Sequence, residues 1–169
     1  MVFSCTKKVR DKIKKYQSIE DDKVEVGLSN WYVDLIVLER RSHFLFTNSK
    51  TLFSFFVYAG TKNEFKKMGE LFEKKLEEQI IREVGSNPKY LEILLAEGNR
   101  DRYVKTNSRS VLGSINDFKY QISVHVEYDG GSRESYDKIN HLLNKVPMKM
   151  LKYKYPVEVM REELESLIR

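Results

Sequence analysis

The residues best suited to chemistry lie in one stretch, Lys105-Thr-Asn-Ser-Arg-Ser-Val-Leu-Gly-Ser-Ile-Asn-Asp117. Small hydroxyl side chains, one Arg and the free N–H groups at the start of a helix make a site for an anion. Lys105, Asn107, Ser108, Arg109 and Ser110 would take a phosphate there. Asn116 and Asp117 are further ligand-binding candidates; in an enzyme, Arg109 would stabilise developing charge while they would position water or a metal. Arg109 and Asn116 are seven apart and share a helix face; Gly113, between them, leaves room for a partner to come close. A plainer account exists for each. Asn107 or Ser108 also reads as a simple helix N-cap, and Gly113 as a close helix–sheet contact. The stretch is not a P-loop, because no Gly-Lys-Ser/Thr ending follows.

Other groups carry weaker signals. Lys7, Lys8, Arg10, Lys12, Lys14 and Lys15 crowd the start of the chain, with Asp11 opposing them. Lys8, Lys12 and Lys15 share one face, and Lys7, Arg10 and Lys14 another, which suits a helix tracking phosphates. Lys145, Lys149, Lys152 and Lys154 form a second basic stretch with Tyr153 and Tyr155 interleaved. Both also read as solvated faces, neutralised in part by Glu158, Glu162, Glu163 and Glu165. Trp31-Tyr32 suits base stacking, but at the start of an apolar strand it reads first as core. Cys5 has Lys7 and Lys8 nearby, which would activate a thiol; the competing reading is a small buried residue at a strand end. His43, His125 and His141 have no ligand spacing to one another or to Cys5. No metal or cofactor is expected.

Several of these stretches carry a resemblance. Cys5-Thr6-Lys7-Lys8, Trp31-Tyr32, Leu45-Phe46-Thr47-Asn48, Thr51-Leu52-Phe53-Ser54-Phe55, residues 105–117 and Asn144 to Tyr155 with its Pro147-Met148 pair occur in fixed order. Together they resemble an uncharacterised bacterial family known only as a domain of unknown function, often associated with plasmids or phages. The family usually has Met where this chain has Ile115, a change that conserves volume. The resemblance brings no activity or catalytic residue. It implies a bacterial, plasmid or phage origin and a cytoplasmic setting, and it singles out Asn107, Ser108, Arg109, Gly113, Asn116 and Asp117.

The elements that must position these residues follow from pattern. Val2 to Cys5 reads as a strand, and Lys7 to Tyr16 as a helix with Val9, Ile13 and Tyr16 on one face. Residues 17–30 read as a loop. Trp31–Glu39, Ser42–Asn48 and Thr51–Tyr58 are strands of an antiparallel meander, covered on both sides because both parities carry large apolar side chains. Asn63–Val84 is a helix, followed by a shorter one from Asn87-Pro88 to about Glu97. Arg102–Thr106 is a further strand. Ser108–Tyr128 fits two templates: Val111, Leu112, Ile115, Phe118 and Ile122 are helical, yet Phe118 to Tyr128 alternates as a strand would. The helix is favoured, ending at Asp129-Gly130-Gly131. Helices from about Glu134 to Asn144 and after Pro156 close the chain. The expected fold is α+β: a small antiparallel sheet, a three-strand meander plus one or two short strands, packed with five to six helices.

Composition bounds the function. The chain has 169 residues, a net charge of +5 and a single Cys, with ten Tyr, nine Phe and one Trp. That length suits one domain, residues 1–169. A lone Cys excludes an internal disulfide and favours a reducing compartment. The aromatic content excludes a solvated coil. The stretch from Ser42 to Thr61 has Lys50 as its one full charge, yet Thr47, Asn48, Ser49, Thr51 and Ser54 interrupt it, so buried strands are expected rather than a membrane span. The N-terminus lacks the apolar run of a signal peptide. Three functions fit: a module binding a nucleotide or nucleic acid, an enzyme acting on phosphodiesters or nucleotides, or a protein-interaction or assembly role with a protein partner or as a homodimer.

Overall fold

The computed structural model describes residues 1–96 and 100–168. Six strands form one mixed sheet: β1 (Val2–Cys5), β2 (Ile19–Glu20), β3 (Asn30–Leu38), β4 (Arg41–Asn48), β5 (Ser54–Tyr58) and β6 (Arg102–Lys105). Their order is β2-β6-β1-β3-β4-β5. The β3–β4–β5 half is the expected antiparallel meander. The other half is parallel: β1 pairs with β3 and β6, and β2 with β6. The sheet is therefore larger than expected and only partly antiparallel. All four residues of β1 are buried, the pattern of a strand flanked on both edges and covered on both faces. Its partners begin at Asn30 and Arg102, too far along the chain for local periodicity to reveal.

Seven α-helices are present among the described residues: α1 (Lys7–Ile13), α2 (Lys62–Lys66), α3 (Met68–Gln79), α4 (Pro88–Leu95), α5 (Arg109–Asp129), α6 (Arg133–Leu143) and α7 (Pro156–Ile168). The single helix expected over 63–84 is divided. It breaks at Lys67, resumes as α3 and ends in a π-turn over Ile80–Val84. The expected end of α4 near Glu97 lies outside the described residues. Over 108–128 the helical pattern wins. Val111, Ile115, Phe118, Ile122 and Val126 are buried, whereas Tyr120 and Tyr128 of the alternating pattern lie exposed.

Two connections differ from expectation for identifiable reasons. The loop 17–30 contains β2, a two-residue edge strand. The run from Thr51 starts as a strand only at Ser54, because the Asn48 carboxamide oxygen accepts from the N–H groups of Lys50 and Thr51 and from the Thr51 hydroxyl. That holds 48–51 as a turn. Glu39 and Arg40 join β3 to β4 with both residues in the left-handed region, φ 47° and 65°, the backbone of a tight two-residue hairpin.

Helices cover both faces of the sheet. On one, Phe3, Trp31, Phe46 and Phe55 pack against Phe72 of α3, with α1, α4 and α7 around them. On the other, Tyr32, Leu45 and Phe56 meet Phe118 and Ile122 of α5 and Ile139 of α6. Trp31 and Tyr32 are wholly buried, so neither is placed to stack on a base.

Candidate functional site

β1 and β6 are parallel neighbours, with Cys5 opposite Lys105. From β1 the chain enters α1 on one face of the sheet; from β6 it enters α5 on the other. Adjacent parallel strands whose connections leave to opposite faces make a switch point, where open sheets form a crevice. The two stretches singled out in sequence, Cys5–Lys8 and Lys105–Asp117, thus start side by side.

Asp34 of β3 ties them together. Its carboxylate accepts from the Thr6 hydroxyl at 2.7 Å and from the Lys119 ammonium of α5 at 2.8 Å. Asp34 is buried, its side chain 7% exposed against 24% for Lys119, so solvent screens this pair less than a surface one.

Beneath the turn that starts α5 sits the hydroxyl of Tyr32. It donates to Asn107 Oδ1 at 2.6 Å. It also accepts from the N–H groups of Asn107 at 3.3 Å and Ser108 at 2.9 Å. A phenolic oxygen therefore occupies the place where two backbone N–H groups would meet an anion. Asn107 Nδ2 donates to the Val24 carbonyl. Ser108 is the N-cap, accepting from the Val111 N–H. Lys105 pairs with Asp21 at 2.5 Å, and the ammonium holds the Asp21 carboxyl below the usual carboxylate range.

Arg109, Asn116 and Asp117 differ from these. All three are exposed, and none of their side chains has a hydrogen-bond or ion-pair partner among the described residues. Ser110 is exposed too, its carbonyl accepting from Ser114. The residues 105–110 form one turn, while Asn116 and Asp117 lie about two turns along α5. Gly113 is exposed, and a Cβ added there would meet nothing within 4 Å. It is therefore not a close helix–sheet contact.

The basic stretches are partly neutralised. Lys7 and Lys14 pair with Asp11. Lys154 pairs with Glu162 and Lys50 with Glu163 on α7. Lys8 has no ion-pair partner among the described residues. Cys5 is buried, and burial pushes its thiol pKa far up, opposite to the shift an activated thiol needs.

Sequence reasoning missed a cavity of about 410 Å³ at the β5 edge, between α3 and α6. The available signal was Asn140 and Asn144, two amides at i and i+4 on one helix.

The fold and site define an α+β protein: a mixed sheet covered on both faces, with a polar helix start at its switch point. The chain belongs to the family described as a domain of unknown function, DUF6933, whose model matches residues 2–159. No curated protein matches it. No helix among the described residues is long and apolar enough to cross a membrane.

Proposed function

We propose that this protein is a binding module for a phosphate-bearing partner, a nucleotide or nucleic acid, engaged through residues 105–117. Gly113 carries the reading. Mid-helix Gly costs about 1 kcal/mol relative to Ala, and nothing among the described residues needs its small size. Flanking it on the same helix, Arg109 and Asn116 are exposed, and their side chains have no partner among the described residues. A face left bare in this way suits a partner whose backbone comes close to the helix.

Because Tyr32 fills the backbone seat, capture falls to side chains. Arg109 supplies the bidentate phosphate contact. Asn116 and Asp117 take amino groups or hydroxyls of the same partner. The family resemblance adds the setting: a bacterial cytoplasmic protein carried on mobile elements.

The test is fluorescence anisotropy with single-stranded DNA and RNA oligonucleotides and with labelled nucleotides, at two salt concentrations. Arg109→Ala is expected to weaken binding by about tenfold, the loss of one charge-assisted contact, with the melting temperature unchanged. Two results overturn the reading: melting that falls sharply in Arg109→Ala, or no phosphorylated ligand binding the wild type.

A further inference from the structure

The cavity at the β5 edge has a floor from β4 and β5, one wall from α3 and another from α6. Its volume of about 410 Å³ lies within the range of small-molecule sites. Three observations say what it would hold.

The first is His43, 1% exposed and lining the cavity. Its Nδ1 lies 3.1 Å from the Arg41 carbonyl. A carbonyl only accepts, so Nδ1 carries the proton and Nε2 is a bare acceptor. Nε2 is buried and has no partner among the described residues. Burial lowers the pKa of the ring and keeps it neutral. An orphaned buried acceptor calls for an N–H or O–H donor.

The second is the strand edge. The outward N–H and C=O groups of Ser54 and Phe56 are taken by the amides of Asn144 and Asn140. The next outward position is Tyr58, and the matching position on α6 is Tyr136, which has no amide. The pairing therefore stops at the cavity and leaves the Tyr58 backbone one donor and one acceptor. Rings stand around this opening: Phe56, Tyr58 and Tyr136 all meet His43 edge-on, with centroids 5.1–5.8 Å away.

The third is charge. Arg41, Lys74 and Arg133 line the cavity, and none of the three is in an ion pair among the described residues. Lys75 is already held by Glu78 and Asp137.

A slot with alternating donors and acceptors fits a planar heteroaromatic ring, and three cations outside ion pairs fit an anionic arm, with Glu39 bonded to the Tyr136 hydroxyl and Glu78 and Asp137 held by Lys75. We propose that this cavity is a binding site for a nucleoside monophosphate, the base against His43 and the Tyr58 backbone and the phosphate toward Arg41, Lys74 and Arg133. The site is separate from residues 105–117, at the β5 edge and four strands from β6, and does not depend on the reading of α5.

The experiment is ¹H–¹⁵N titration of the full chain with the 5′-monophosphates of adenosine, guanosine, cytidine and uridine. Adenosine and inorganic phosphate are the single-feature probes. At least one monophosphate is expected to saturate, shifting the amides of Phe56, Val57, Tyr58 and Tyr136, and to bind more tightly than either single-feature probe. Lys74→Ala with Arg133→Ala, both at exposed positions, is expected to weaken that affinity by about tenfold or more. Arg109→Ala is expected to leave it unchanged, so failure here and failure of the α5 reading are told apart. The proposal is overturned if no monophosphate saturates in the millimolar range, if the shifts fall on residues 107–117 instead, or if the double variant binds as the wild type does.

Discussion

The carboxamide of Asn140 satisfies both backbone groups of Phe56, accepting from its N–H at 2.8 Å and donating to its carbonyl at 3.2 Å. Asn144 repeats this on Ser54 at 2.8 and 2.7 Å. The match is geometric. Four helical residues rise about 6 Å, and two strand residues about 6.7 Å. One helix thus stands in for a seventh strand and closes an edge that would otherwise invite pairing with other chains. Asn140→Ala leaves two buried backbone groups unpaired, at about 1–3 kcal/mol for each such group. The urea midpoint should fall accordingly, and Asn140→Asp, which sets a buried carboxylate against the Phe56 carbonyl, should lower it at least as far. An unchanged midpoint would show that water replaces the amide without penalty.

Lys119→Ala should also destabilise strongly. It leaves the buried Asp34 carboxylate with only the Thr6 hydroxyl. Breaking one side of a buried pair costs about 3–5 kcal/mol, and the partial exposure of Lys119 puts the expectation at the low end. Asp34→Ala with Lys119→Ala should cost less than the two single losses added together. Strict additivity in denaturation would mean that the pair is not coupled.

Gly113→Ala should stabilise the chain by about 1 kcal/mol, since the added methyl meets nothing and helix propensity improves. The same variant should bind oligonucleotides more weakly. Thermal melting and anisotropy, measured on one preparation, give both numbers. A stabilised variant with full affinity would remove Gly113 from the contact face.

Cys5 should stay silent toward an aromatic disulfide reagent in native buffer and react at once in denaturant. It is buried at the end of β1, its thiol pKa raised by burial. Rapid labelling of the native chain would show that β1 opens.

His43 gives the chain a pH signature. Burial lowers its pKa below the ordinary 6.5. Above 6.5 the ring is neutral in both folded and unfolded chains. As pH falls below that value the unfolded chain takes the proton first, so stability is lost downward through the folded value. Urea unfolding at stepped pH should show this slope, and His43→Phe should flatten it. An identical slope in the variant would assign it to other groups.

What the sequence made legible was local. The helix over 109–129 was readable because its buried residues recur at helical spacing, and the N-cap at Ser108 because Ser suits that position. The meander followed from its aromatic and β-branched runs. The parallel half of the sheet was not legible: β1 has four residues and β2 two, too few to show direction. The same holds for the site. The turn at 107–108 could be named, but the Tyr32 hydroxyl that fills it lies 75 positions away, and the Asn140 and Asn144 contacts span 84 and 90. Side chain to backbone bonds over such distances leave no periodic trace.

The central place of β1 also sets an order of events during synthesis. The strand made first needs β3 on one side and β6 on the other. Its second neighbour does not exist until Lys105 has been made, so until then β1 keeps one edge unpaired although β3 and Phe72 are already in place. Closing that gap is a long-range step, which slows folding. Until it is done, the backbone groups of β1 that face β6 have no strand to pair with.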